Sequence, residues 1–120
     1  MIYLPIYKTL NANADVKTIF GDNLRIYEDI APIGTATPYA VWQEVGGNAE
    51  DNLDCPATTD HIMYQVIVYD TNRKRAYMGR DAIRKALENH SYILNPRISG
   101  YETDTRLFSR GFDANWFLDR

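Results

Sequence analysis

His61-Ile-Met-Tyr-Gln-Val-Ile-Val-Tyr-Asp70 is the stretch from which the fold is read. In an extended chain successive side chains point to opposite faces, so Ile62, Tyr64, Val66 and Val68 share one side while Met63, Ile67 and Tyr69 make the other side apolar as well. β-Branched and aromatic residues on both sides predict a central strand covered on both faces. Upstream, Tyr39 to Val45 alternates in the same way, Tyr39, Val41, Gln43 and Val45 opposite Ala40, Trp42 and Glu44. Between these strands, Gly46 to Thr59 is polar, acidic and broken by Gly46, Gly47 and Pro56. It predicts a loop of about fourteen residues, longer than most connections in compact domains and therefore functional or mobile.

Downstream of Asp70, Thr71 is placed to cap a helix running to about Asn89, with Ala76, Gly79, Ile83, Ala86 and Leu87 as its buried stripe and the basic residues mostly outside it. After Pro96, Ile98 to Thr103 and Leu107 to Leu118 predict two strands joined by a turn near Asp104, the second carrying Phe108, Phe112, Trp116 and Leu118 on one face. At the other end, Ile2, Ile6 and Leu10 are spaced for one face of a helix over 2–13 that tolerates Pro5 in its first turn. A short helical turn follows from Ala14 to Phe20, capped by Asp15 and ended by Gly21; Arg25 to Ile30 predicts a half-buried strand, and 31–38, with two prolines and a glycine, a loop. The order folds most simply as one α+β domain over 1–120: a mainly antiparallel sheet of about five strands with two main helices packed on one face.

Composition narrows the function classes. The 120 residues are 45% hydrophobic and 24% charged, which suggests neither disorder nor a membrane protein. No apolar run approaches bilayer length, and the N-terminus lacks the pattern of a secretory signal, so nothing is expected to mark the chain for export. A lone cysteine, Cys55, excludes an internal disulfide and suits a reducing cytoplasm. The net charge of -3 argues against a dedicated nucleic-acid binder. Charge is segregated, however. From Asp15 to Asp70 there are ten acids and two bases, and from Thr71 to His90 six bases and two acids.

Sites for chemistry are sparse. Cys55, His61 and His90 form no metal-ligating motif, and Asn48, Glu50, Asn52 and Asp54, two apart, lack the glycine and glutamate that a calcium loop places at its sixth and twelfth positions. Gly46-Gly47-Asn48 is followed by no Lys-Ser or Lys-Thr helix, and no nucleophile sits in a recognisable turn. No catalytic residue, metal or cofactor is expected. The basic helix with Tyr77 has three readings: a solvated face, a nucleic-acid surface, or one half of a contact between copies. In the last reading Glu50, Asp51 and Asp54 of one copy pair with Arg80 and Arg84 of the next, a head-to-tail contact that closes into a ring where the rotation allows.

Tyr27-Glu-Asp-Ile-Ala-Pro-Ile-Gly-Thr-Ala-Thr-Pro-Tyr-Ala-Val-Trp42 resembles the tail completion family of long-tailed bacteriophages, which includes tail terminators and tail-to-head joining proteins. The order Asp29, Pro32, Gly34, Pro38, Tyr39 carries the likeness, and Met63 to Tyr69 looks like the family's central strand, followed by a helix and a closing hairpin with Tyr101-Glu102 and Phe112-Asp113. The departures are the acidic stretch from Gly46 to Thr59 and the basic start of the second helix. The resemblance implies a structural virion protein, assembled in the host cytoplasm. It implies a hexameric ring that caps the tail tube, stops its polymerisation and joins it to the head connector or stopper protein. DNA would pass through the lumen without specific binding. The alternatives are a head-tail adaptor or connector component, and a small enzyme or ligand-binding domain.

Overall fold

A computed structural model describes residues 4–52 and 55–119, the segments 47–52, 55–60 and 117–119 by backbone alone. Ile2 of the expected first helix lies outside the described residues. The expected α+β architecture is present. β3 (Cys55–Asp70) occupies the middle of a five-stranded sheet of order β1-β2-β3-β5-β4. It is antiparallel to both β2 (Tyr39–Asn52) and β5 (Leu107–Asp119), and β4 (Ser91–Glu102) closes one edge antiparallel to β5. At the other edge β1 (Ile26–Glu28) runs parallel to β2, the one parallel pair among the described residues.

Three helices lie on one face: α1 (Ile6–Asn11), α2 (Ala14–Phe20) and α3 (Arg73–Leu87). α3 rests on β3 and β5, and α1 and α2 pack against α3. The helix caps differ from expectation. Asn13, not Asp15, accepts a hydrogen bond from the Val16 amide at the start of α2, and Asn72, not Thr71, accepts from the Arg75 amide at the start of α3. In each case the asparagine is one residue outside the helix, where an extended backbone lets its side chain fold back onto a free amide.

The alternation read in β3 sets the core. Tyr64, Val66 and Val68 are fully buried, joined by Ala40 and Trp42 from β2, Phe112, Ala114 and Trp116 from β5, and Leu10, Phe20, Ile83 and Leu87 from the helices. The opposite face of β3 is not covered as expected. Ile67 and Tyr69 are half-buried and Met63 is exposed, because every helix crowds onto the other side. Close approach there depends on Gly79. A Cβ at that position would stand 3.0 Å from both Phe20 and Val68. Gly111 plays the same part within the sheet, where a Cβ would overlap the Val66 carbonyl oxygen.

Of the segment Gly46 to Thr59, the described residues 46–52 and 55–59 are strand, not loop. β2 and β3 continue to pair from Gly46↔Met63 to Asn52↔Cys55, and β5 accompanies β3 as far as Thr59↔Asp119. A polar two-stranded ribbon has the composition of a loop, so composition does not separate them. Pro56 lies beyond the reach of β5, where a missing amide costs no ladder bond on that side. β4 likewise starts earlier than expected, at Ser91, and carries Pro96 where the pairing with β5 is irregular between Asn95 and Ile98. An edge strand tolerates this because its outer side makes no ladder. The projecting ribbon gives the molecule extents of 53 × 28 × 24 Å and a radius of gyration of 15.2 Å. A compact chain of this length has about 13.6 Å.

Two outcomes test this packing. Gly111→Ala is expected to lower stability by about 1–3 kcal/mol, read from the urea midpoint, because the methyl pushes β5 off β3. Tyr64 donates to Ser91, which itself donates to the Leu87 carbonyl, and burial pushes the Tyr64 hydroxyl up to about 12 despite that bond. A folded value above the unfolded 10 means that the contribution of the neutral phenol is complete below pH 10 and is lost as pH rises towards 12. Melting temperature should therefore fall over that interval, and Tyr64→Phe should flatten the fall while costing about 1 kcal/mol at neutral pH.

Candidate assembly surfaces

The parallel pairing of β1 with β2 requires a crossover, and residues 29–38 provide it. Its base is held from below. The Arg25 guanidinium donates to the Pro38 carbonyl at 2.9 Å and to the Ile19 carbonyl at 3.2 Å, and the Asp29 amide donates to Trp42 at 2.8 Å. Asp29 and Gly34 adopt positive φ, 67° and 81°, which lets the chain reverse twice within a few residues. The apex presents Ile30 and Ile33 at 79% and 107% exposure, a conspicuous placement for two large apolar side chains.

Beneath the apex, the open face of the sheet forms a shallow depression of about 320 Å³ lined by Ile30, Ala31, Tyr39, Tyr69, Glu102 and Leu107 among others. Tyr39 and Tyr69 stack with ring centroids 5.3 Å apart. Burial raises both hydroxyls, and the Glu102 carboxylate raises them further, with Tyr39 adding to the effect on Tyr69. The phenols remain hydrogen-bond donors beside an acid. The depression therefore offers an aromatic floor with donor and acceptor groups at its rim, suited to a polypeptide segment.

The residues expected to pair between copies fall in different settings. Asp54 lies outside the described residues; Glu50 and Asp51 are placed by backbone in the β2 ribbon and their side chains lie outside the description. Arg84 is half-exposed on α3 and faces Glu88 at 3.7 Å, a weak solvent-screened pair. Arg80 departs from the expectation that the basic residues stand outside the buried stripe. It is only 4% exposed and donates through Nε and Nη2 to Asp81.

A second buried arginine, Arg110, escaped the sequence reading. It sits on the helix-facing side of β5, between Phe108 and Phe112 in the alternation, and is 8% exposed. Its Nη1 donates to the Gly100 and Ser109 carbonyls, and its guanidinium lies 4.8 Å from the Tyr77 ring centroid. The signal for it was present as a charge at an apolar position of an alternating strand. Ile30 and Ile33 were also missed, because loop position hides exposure. Among the described residues no group of three or more His, Cys, Asp or Glu could hold a metal ion, and no helix is long and apolar enough to cross a membrane.

The same fold occurs in a solved chain of the "Virion of native gene transfer agent (GTA) particle". It superposes with a TM-score of 0.68 at 13% identity over 96% of this chain and 92% of that one. No curated protein matches the sequence. The family model described as "Tail completion protein gp17" matches residues 5–119, nearly the whole chain and all five strands. The chain belongs to this tail completion family, structural proteins of the bacteriophage virion.

Proposed function

We propose that the chain is the subunit of a hexameric ring that caps the finished tail tube, stops its polymerisation and joins the tail to the head connector or stopper protein. Family membership over residues 5–119 carries this reading. The exposed apex of the crossover loop supports it, since Ile30 and Ile33 gain nothing for the folded chain and suit a surface that another subunit covers. No catalysis enters. DNA passes through the ring lumen without specific binding, and a net charge of -3 avoids gripping a sliding polyanion.

Electron microscopy of tail tubes incubated with the purified protein tests the role. One ring of hexameric mass at one tube end is expected, with tubes no longer elongating; binding to portal complexes and not to tubes would favour a head-tail adaptor. Ile30→Asp combined with Ile33→Asp should abolish capping while changing stability by no more than about 0.5 kcal/mol per site, because neither side chain is packed in the chain itself.

A further inference from the structure

Three cations converge on one phenol. The Arg110 guanidinium lies 4.8 Å and the Arg80 guanidinium 5.0 Å from the Tyr77 ring centroid. The Tyr77 hydroxyl is held below the usual phenol range by a hydrogen bond from Arg110 and by the charges of Arg110, Arg97 and Arg80. The anionic side of this cluster is thin. Arg80 pairs with Asp81, itself 67% exposed, and its Nη1 is buried without a partner. Arg110 is paired with no carboxylate among the described residues; two backbone carbonyls and the Tyr77 and Phe108 rings surround it, and its Nε is buried without a partner. A buried guanidinium lacking a counter-charge is costly in an isolated chain, and an acidic group that closes over it offsets part of that cost. Arg97, exposed on edge strand β4, extends the patch to the surface.

The acids that match it lie at the other end of the sheet. Arg110 is opposite Val68, near the end of β3 from which α3 departs, whereas Glu50 is opposite Thr59, beside the ribbon tip. Nine residues of β3 separate the two levels, roughly 30 Å at the rise of an extended strand. The surplus acids Glu50 and Asp51 and the surplus bases are thus held apart by the β2–β3 ladder, and a second copy can bring them together.

We infer that the Tyr77–Arg97–Arg110 patch is the docking site for the acidic β2–β3 ribbon of the neighbouring copy. This rests on the ring reading above and replaces the Arg80 and Arg84 half of the pairing expected from sequence. The contact is heterologous: ribbon tip of one copy on the helix-start end of the next, repeating around a ring. Arg97 supplies the accessible charge, and the Arg110 guanidinium over the Tyr77 ring adds positive charge behind it.

The test uses the chain's single natural thiol, Cys55, next to the ribbon tip. Wild-type protein is mixed with a Cys55→Ser, Arg97→Cys variant and capped onto tail tubes under mild oxidation. A disulfide-linked mixed dimer is expected, and none with Cys55→Ser alone. A parallel set follows ring mass against salt. Arg97→Glu should weaken rings at least tenfold, and adding Glu50→Arg and Asp51→Arg to it should restore them. Rings of normal mass without the mixed dimer, and insensitive to Arg97→Glu, would overturn the docking site while leaving the ring intact. Absence of any ring with the wild-type chain would overturn both. Loss of duplex DNA retention by Arg97→Glu with rings unchanged would assign the arginines to phosphate and also overturn the proposal.

Discussion

Burial of the Tyr64, Val66 and Val68 row beneath the helices is the constraint on which the rest of the structure depends. Each of these side chains contributes roughly 1.5–3 kcal/mol when removed from water, and all three lie on the middle strand of the sheet, which is hydrogen-bonded on both sides. Once α3 is committed to that face, α1 and α2 pack against it, and no helix among the described residues covers the other face. The Tyr39–Tyr69 stack, the crossover loop and the depression between them are left available by default.

The same row also launches α3. Asp70, the next residue in the alternation, is fully buried, and its Oδ1 accepts from the Asn72 amide at 3.1 Å and from Arg75 at 2.9 Å. Asn72 then caps the helix, so strand end, turn and helix start are fastened by three adjacent polar residues together with Arg75. The helix can leave the sheet in only one direction. That direction brings Gly79 over Val68 and sets Tyr77 beside Arg110.

Much of this was legible in the sequence, for physical reasons that differ by element. β3 and β5 could be read because strict alternation over many residues has a period that no helix shares. The span of α2 was read correctly because Gly21 at φ 92° ends it where a side chain would be strained. The acidic ribbon reads as a loop because a polar two-stranded ladder has no apolar period to detect. β4 was truncated because Pro96 marks a break in most strands but not in an edge with irregular pairing. Charge segregation was visible, yet which basic residues matter was not. Arg80 and Arg110 owe their roles to burial, and burial depends on which helix lands on which strand.

A sheet dry on only one side divides the chain into two sets of residues under different selection. Along 39–42, 62–70 and 112–116, side chains of the core alternate with half-buried or exposed ones on the open face. Lineages can exchange the second set wholesale as their neighbours change and still inherit the same backbone. Likeness within such a family is then carried by the rhythm of apolar positions and by a few turn residues, while identity at matched positions drifts towards background.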